Sequence, residues 1–226
     1  MQQILSNLNS LSTPALISVS ILPVLFAITL HEVAHGWIAK HLGDPTAQRL
    51  GRLTLNPVKH IDPIGTILLP ATMIFLKLGF VLGWAKPVPI TWENLRHPKR
   101  DMVLVAVAGP GANFLMAMFW GLIAKIAVTF GDGASWVTIP LLYMGLVGIF
   151  VNALLMVFNL LPVPPLDGGR VAVGLLPGRW GWTLSRVEPY GFFIVIGIMM
   201  TPVFGLVVYP AISAVMAFVV FLSGLA

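Results

Sequence analysis

Four long stretches without a charged side chain constrain this chain more than any other feature. Residues 1–30, 102–124, 133–166 and 189–226 contain no Asp, Glu, Lys or Arg. Each stretch is long enough to cross a bilayer, which requires about 20 apolar residues. Only 9% of the residues are charged, whereas an ordinary soluble domain has roughly 25%. The sequence therefore predicts an all-α polytopic membrane protein.

The order of the apolar stretches predicts how the chain is organised. Membrane spans are expected near residues 15–38, 102–128 and 136–160, with further membrane helix within 184–224. The first three would form a core of transmembrane helices at about 14–176. One or two membrane helices would follow at about 184–224, since the sequence around Pro202 fits either one kinked helix or a hairpin. We expect a single domain over residues 1–226, because an added soluble module would need roughly 50 residues or more.

The apolar segment 64–85 is interrupted by Pro, Lys and Gly, so it could either cross the membrane or enter it and return. Basic residues can decide, because cytoplasmic loops carry an excess of Lys and Arg. If the segment returns, all of the 13 basic residues except Lys77 and Lys125 lie on one side. If it crosses, they divide between both sides, with the larger share outside. The charge pattern favours a re-entrant segment and an N-terminus outside the cytoplasm.

Two short segments beside the re-entrant segment have features of edge strands. Residues 49–56 place leucines at alternate positions near their centre, and residues 87–92 contain prolines, which do not occupy central strand positions. We therefore predict small edge β-strands at the cytoplasmic interface. A polypeptide docked in extended form could pair with such an edge.

Charge and cysteine content exclude several classes of site. The net charge is +5, but the basic residues lie in short loops beside apolar stretches. Contact with lipid headgroups explains this distribution better than nucleic-acid binding. The chain has no cysteine, which excludes disulfides, thiolate nucleophiles and cysteine metal sites. Any metal must be held by nitrogen and oxygen ligands.

The sequence His31-Glu32-Val33-Ala34-His35 lies in the last third of the first predicted span. Residues i and i+4 share one helix face at a separation of about 6 Å, so both imidazoles can reach one ion. Glu32 is close enough to act on water at that ion without being a ligand. The alternative is a structural role in the core, but each of these ionisable groups would then cost up to about 3 kcal/mol in the membrane unless it is paired. The pattern favours a metal site.

A catalytic zinc ion usually has three protein ligands, and the two histidines supply only two. Asp167 follows a long uncharged run, after three prolines that end the helix and before two glycines that permit a tight turn. Asp167 could instead cap the next helix with one oxygen, which would leave the other for a metal. His60 is the rival third ligand, but it lies in a charged loop where a solvated histidine is expected.

These motifs resemble those of the site-2 proteases, the intramembrane zinc metalloproteases of peptidase family M50. The resemblance combines H-E-x-x-H in a membrane helix with N-x-x-P-x-P-x-L-D-G-G from Asn159 to Gly169. It covers residues 24–170. Further segments are similar to the short prokaryotic form without PDZ or CBS domain: Leu55-Asn56-Pro57 with His60, residues 83–89, and Ala108-Gly109-Pro110 with Asn113.

The resemblance implies that His31, His35 and Asp167 hold one Zn²⁺ per chain and that Glu32 is the general base. Asn159 corresponds to a family asparagine that would help to position the substrate or the oxyanion. Asn113 we interpret differently, as a packing hydrogen bond between helices, which is the usual role of a polar residue there.

The function implied by the resemblance is hydrolysis of a peptide bond within or near the transmembrane segment of a membrane protein, in regulated intramembrane proteolysis. The expected partners are a single-pass membrane protein and the lipid bilayer, with no nucleic acid. The expected location is the inner (plasma) membrane, multi-pass, with the active site near the cytoplasmic side. The sequence indicates no oligomeric state.

Three other functions stay open from the residues alone. A zinc hydrolase of a non-peptide substrate would use the same ligands. A metal transporter normally needs a polar path and often an inverted repeat, and neither is evident. A non-catalytic membrane scaffold would tolerate loss of Glu32.

Overall fold

Helices make up most of the described chain in a computed structural model, which describes residues 11–76, 83–131 and 135–225. The α-helices are α1 Thr13–His41, α2 Thr46–Arg49, α3 Leu69–Phe75, α4 Pro98–Thr129, α5 Ser135–Asn159, α6 Asp167–Leu175, α7 Gly178–Ser185, α8 Gly191–Met200 and α9 Tyr209–Leu222. Single π-helical turns, Pro63–Leu68 and Phe204–Val208, lead into α3 and α9. Short 3₁₀ turns cover Pro57–His60, Trp92–Asn94 and Glu188–Tyr190.

Within the part of the chain that the structure describes, five helical segments are long and apolar enough to cross a membrane. They are Thr13–His41, Pro98–Thr129, Ser135–Asn159, Gly178–Met200 and Phe204–Leu222. The first two contain the spans predicted near 15–38 and 102–128, and the third matches the span predicted near 136–160 except for its last residue. The prediction of an all-α polytopic membrane protein is therefore confirmed.

Small residues allow α1, α4 and α5 to pack closely at the centre of the bundle. Ala27 of α1, Ala117 of α4 and Ala153 of α5 are fully buried. Gly148 of α5 lies directly against the Trp120 ring of α4, where a Cβ would collide with the indole. Close backbone approach at small residues is the usual basis of helix packing in membranes. This packing holds the three helices that carry most of the candidate site.

The two ends of the segment predicted to be re-entrant are hydrogen-bonded to each other. The Trp84 N–H donates to the Gly65 carbonyl at 3.1 Å, and the Thr66 hydroxyl donates to the Trp84 carbonyl at 2.8 Å. The Trp84 ring fills the space beside Gly65, where a Cβ would collide with it. Residues 77–82, which include Lys77, lie outside the described residues.

The structure does not contain the edge strands predicted at 49–56 and 87–92, since neither segment is assigned as a strand. Pro87 and Pro89 have no N–H. Three other backbone N–H groups bond to separate parts of the chain: Lys86 to the His60 carbonyl at 2.9 Å, Val88 to Glu32 Oε2 at 2.8 Å and Thr91 to Asp44 Oδ2 at 2.7 Å. No ladder forms because these donors are committed elsewhere.

Asp44 ties the turn after α1 to the segment around residue 91. Its side chain is 1% exposed, and it accepts hydrogen bonds from both the N–H and the hydroxyl of Thr46, from the Thr91 N–H and from the Asn94 amide. Burial raises the pKa of Asp44, but these hydrogen bonds favour the carboxylate and hold its pKa below the ordinary value.

We expect Asp44→Asn to lower the free energy of unfolding at pH 7, by roughly 1 to 3 kcal/mol, because one of the two acceptor oxygens becomes an NH2 group that cannot accept from the surrounding donors. The folded state lowers the pKa, so the carboxylate stabilises the fold above the pKa of the unfolded chain, near 3.9. That contribution is lost as the pH falls through the lower folded pKa. Thermal unfolding in detergent at pH 7 and pH 3 measures the effect. A difference between variant and wild type that does not shrink at pH 3 would contradict this account.

The C-terminal helices α8 and α9 join opposite ends of the bundle. Gly191, at the start of α8, lies against the backbone of Pro164, just beyond the end of α5. After α9, the Gly224 carbonyl accepts a hydrogen bond from Lys125, near the end of α4. Because α4 and α5 are consecutive helices joined by a short connection and packed side by side, these two points lie at opposite ends of the pair. The C-terminal helices therefore run in one direction with a break at Thr201, and they do not form the hairpin that the sequence left open.

Candidate metal centre

Helix α1 places the two histidines of the H-E-x-x-H motif on one face, with their Nε2 atoms 3.1 Å apart. The Nδ1 of His35 lies 2.7 Å from the Val105 carbonyl, and the Nδ1 of His31 lies 2.6 Å from Asn113 Oδ1. Both partners are acceptors, so each ring donates its Nδ1–H to them. Each Nε2 is therefore left with a lone pair, which is the form that binds a metal.

Asp167, the first residue of α6, completes the group. Its Oδ2 lies 3.2 Å from His31 Nε2 and 3.3 Å from His35 Nε2. Asp167 begins α6 without a side-chain capping bond, so it does not serve as the cap that the sequence allowed. The tight turn predicted for Gly168 and Gly169 is also wrong. Both glycines are helical, and each lies against backbone atoms of residues 160–164, where a Cβ would collide.

The three groups fit a zinc ion in donor type and in spacing. Two imidazole lone pairs and a carboxylate oxygen at 3.1–3.3 Å would repel one another without a cation between them. A tetrahedral zinc with bonds of about 2.0–2.1 Å sets its ligand atoms roughly 3.3 Å apart. Asp167 Oδ2 is also buried without a hydrogen-bond partner among the described residues. In the described part of the chain, His31, His35 and Asp167 are the one group of three or more His, Cys, Asp or Glu side chains that could hold a metal ion.

Glu32 lies beside the metal ligands and has a separate contact. Its Oε2 accepts a hydrogen bond from the Val88 N–H at 2.8 Å. Val88 stands between Pro87 and Pro89, so it offers the one backbone donor of this tripeptide. The contact fixes one oxygen of the carboxylate and leaves Oε1 for chemistry.

A cavity of about 780 Å³ opens beside the metal ligands. Its walls are mostly apolar side chains, among them Val24, Ile28, Pro70, Ile90, Leu155 and Phe158. Glu32 and Asn159 also line it, as the resemblance implies for groups that face a substrate. The Asn159 amide nitrogen donates to the Leu155 carbonyl at 2.9 Å, within its own helix. The cavity is large enough for several side chains of an extended peptide.

His60 is not a solvated interfacial residue, as its charged neighbours had suggested. The side chain is 1% exposed, and its Nε2 lies 2.9 Å from the Thr54 carbonyl. It does not belong to the group of metal-ligating side chains. Its carbonyl accepts from the Lys86 N–H. His60 thus supports the segment that carries Val88.

Asn113 packs between helices, as predicted, and also orients a metal ligand. It is fully buried, and its amide nitrogen donates to the Ala27 carbonyl at 3.2 Å and to Asn152 Oδ1 at 2.9 Å. Asn152 in turn donates to the Gly148 carbonyl at 2.8 Å. These bonds determine which end of the Asn113 amide faces His31. Asn152 was not among the residues predicted from the sequence, although an amide in an uncharged span was a usable signal.

We expect Asn113→Leu to weaken zinc binding about 10- to 100-fold, the usual cost of losing the partner of a ligating histidine. Leucine has a similar volume but accepts no hydrogen bond from His31. Chelator competition measures the zinc affinity. Asn152→Leu is the matched control, since it leaves the acceptor on Asn113 in place, and its effect should be smaller. Equal effects of the two changes would argue against a specific role for Asn113.

Comparisons with known proteins agree with a zinc site. The profile of Peptidase family M50 matches residues 121–202, which contain Asn159 and Asp167. "Putative zinc metalloprotease YwhC" of Bacillus subtilis is 35% identical over 195 residues, which cover 86% of this chain and 85% of that protein. No solved structure matches the chain significantly.

Two mycobacterial relatives cover less of their own length. "Putative zinc metalloprotease Rip2" of Mycolicibacterium smegmatis is 32% identical over 182 residues, which are 79% of this chain and 65% of that protein. Its namesake in Mycobacterium tuberculosis is 33% identical over 147 residues, which are 64% of this chain and 52% of that protein. The similarity to YwhC extends over most of both chains. It agrees with the sequence motifs and with the geometry of the candidate zinc site. The chain therefore belongs to peptidase family M50, the site-2 proteases, and is a multi-pass membrane zinc metalloprotease.

Proposed function

We propose that this protease cleaves a peptide bond within or near the transmembrane segment of a single-pass membrane protein, in regulated intramembrane proteolysis. The observation that carries the proposal is the position of the centre along α1. His31 and Glu32 lie within a candidate membrane span, eight or nine residues before Lys40, at whose level the basic loops begin. At 1.5 Å per residue, this distance is about 12 Å.

The cavity supports a membrane substrate as well. Its mostly apolar walls suit the side chains of a transmembrane segment. The basic residues beyond α1 support a location in the inner (plasma) membrane with the active site near the cytoplasmic side. The return of the chain at Gly65 and Trp84 supports a re-entrant segment that enters the membrane beside the cavity.

A substrate helix must unwind before its peptide bond can be attacked. Backbone groups left without partners in lipid would cost several kcal/mol each. In this chain the segment 87–89 offers an approaching peptide few donors, because Pro87 and Pro89 have none and the Val88 N–H is bound to Glu32. The hypothesis of pairing with an edge strand therefore loses its support at this segment. Unwound substrate groups would rely on side chains such as Asn159 and on water.

His31, His35 and Asp167 would hold the zinc ion, which when bound supplies a Lewis acid that activates water and polarises the scissile carbonyl. Glu32 Oε1 accepts the proton of the attacking water and passes it to the leaving amine. The Val88 N–H keeps the carboxylate in place during both transfers. Asn113 and the Val105 carbonyl hold the two imidazoles in their metal-binding orientation.

We expect Glu32→Gln to abolish peptide cleavage while retaining about one zinc per chain, because Glu32 is outside the ligand group. Loss of a general base costs typically 10²- to 10⁴-fold in rate. The test is co-expression of wild type or variant with tagged single-pass membrane proteins, with the ends of the fragments mapped by mass spectrometry. Fragment ends should lie within or next to a transmembrane segment.

Glu93→Gln is the matched control, since Glu93 is exposed and does not line the cavity. It should leave cleavage unchanged. Cleavage that persists in Glu32→Gln would remove Glu32 from its role. Fragment ends confined to soluble domains would overturn the proposed intramembrane function.

A further inference from the structure

Arg170 has a position that the proposed mechanism does not use. Among the described residues it is the one lysine or arginine that lines the cavity. It follows Asp167 by three residues in α6, and residues i and i+3 share one face of a helix. A cation therefore stands about one helical turn from a metal ligand, on the wall of a mostly apolar cavity.

The contacts of Arg170 position its guanidinium group but do not saturate it. The guanidinium carbon lies 4.9 Å from the centre of the Trp92 ring. One terminal nitrogen donates to Glu188 Oε1 at 3.4 Å, and Nε donates to the Pro165 carbonyl at 3.5 Å. Charged hydrogen bonds are usually shorter, about 2.7–2.9 Å. Both contacts are long and single, so the fork of donors is oriented by Trp92 but is free to bind a carboxylate.

Glu188 binds the Arg170 guanidinium group only weakly. The Glu188 side chain is 48% exposed and that of Arg170 is 31% exposed. Exposed ion pairs contribute roughly 0 to 1 kcal/mol. A second carboxylate that binds both terminal nitrogens would replace Glu188 readily, because the planar guanidinium matches a carboxylate in two-point contact.

We propose that Arg170 binds an acidic side chain of the substrate on the cytoplasmic side of the scissile bond, and that Glu188 occupies Arg170 until the substrate arrives. This inference rests on the proposed function, because it assumes that a peptide lies in the cavity. The inference adds a requirement on the substrate that the apolar cavity walls alone do not impose. The substrate must carry an acidic residue close to the cytoplasmic end of its apolar transmembrane segment.

The direction of α6 locates this acid on the substrate. The helix runs from the metal centre at Asp167 towards Leu176, whose carbonyl accepts a hydrogen bond from Lys99 near the start of α4. That end of α4 carries basic residues, which the charge distribution places at the cytoplasm. Three residues of helix rise about 4.5 Å, and extended chain advances about 3.3 Å per residue. With the reach of the arginine side chain, the acid falls roughly two to four residues from the scissile bond.

Synthetic transmembrane peptides test the inference directly. Each has an apolar segment of about 20 residues and carries Glu, Gln or Lys at the first four cytoplasmic positions. Binding is measured to zinc-loaded Glu32→Gln protein in nanodiscs of phosphatidylcholine, so that cleavage does not interfere. We expect the Glu peptide to bind roughly tenfold more tightly than the Lys peptide, which is the effect of a free energy of about 1.4 kcal/mol.

Variants in the same background identify the residue responsible. Arg170→Gln should remove the preference, and Arg170→Glu should reverse it in favour of the Lys peptide. Glu188→Gln should tighten binding of the Glu peptide severalfold, because the competing carboxylate is gone. Arg186→Glu is the matched control: Arg186 lies 5.0 Å from the Trp182 ring in a similar arrangement, but it does not line the cavity. It should keep the original preference.

Zinc content shows whether each variant keeps its fold. Equal binding of the three peptides, or a preference that survives Arg170→Glu, would overturn the inference. So would a variant that changes only association with anionic phosphatidylglycerol vesicles, because Arg170 would then bind lipid headgroups. Cleavage of the same peptides by the protein with Glu32 intact is scored separately. If no peptide is cleaved but the charge preference still reverses, the proposed function fails and the acid-binding site stands.

Discussion

Asp167→Ala is expected to remove most of the bound zinc and to lower peptide cleavage by more than about 100-fold. Its carboxylate is the third ligand atom, and loss even of groups that only orient a ligand costs about 10- to 100-fold. The two remaining Nε2 atoms, 3.1 Å apart, would leave zinc short of the three protein ligands of a catalytic site. Metal analysis of the purified protein after dialysis against a weak chelator measures the loss.

His60→Ala is the matched control for this change. His60 is the other candidate that the sequence offered, and it is buried with a hydrogen bond to Thr54. Its replacement should lower the unfolding temperature while leaving about one zinc per chain. The reverse pattern, with zinc kept in Asp167→Ala and lost in a folded His60→Ala protein, would show that the wrong third ligand had been assigned.

The local part of the site could be predicted because helix geometry alone determines it. His31 and His35 are four residues apart in a span that the sequence marks clearly, so their shared face follows from the helical repeat. Asp167 is different, since no local rule brings residue 167 to residue 31. The rarity of acids in the apolar part of the chain and the family resemblance made it a candidate. The packing of α5 and α6 against α1 and α4 brings it to the histidines.

The predictions that failed depended on partners distant in sequence. Alternating leucines in 49–56 and prolines in 87–92 fit edge strands locally. The actual partners of the second segment, Glu32 and Asp44, could not be found from either segment alone. His60 failed for the same reason: charged neighbours in sequence suggested solvent, whereas the fold buries the ring.

The second large effect is expected at Gly109, where α4 meets the metal ligands. A Cβ at this position would lie 2.6 Å from Cε1 of both His31 and His35. Atoms this close cannot coexist, so Gly109→Ala must displace the imidazoles or separate α4 from α1. Either shift would disturb ligand atoms that lie within 3.3 Å of one another. We expect zinc affinity and peptide cleavage each to fall by about 100-fold, the upper end of the loss expected when groups that orient the ligands are changed.

Gly111→Ala, two residues further along α4, separates this steric effect from the general effect of removing a glycine. Nothing lies within 4 Å of a Cβ at Gly111, so the added methyl group meets no obstacle. Alanine favours a helix over glycine by about 1 kcal/mol, and Gly111→Ala should therefore keep its zinc and unfold at an equal or higher temperature. The two alanine variants differ only in what the methyl group touches. If Gly109→Ala also kept full zinc affinity, the close approach of α4 to the histidines could not be what holds the centre together.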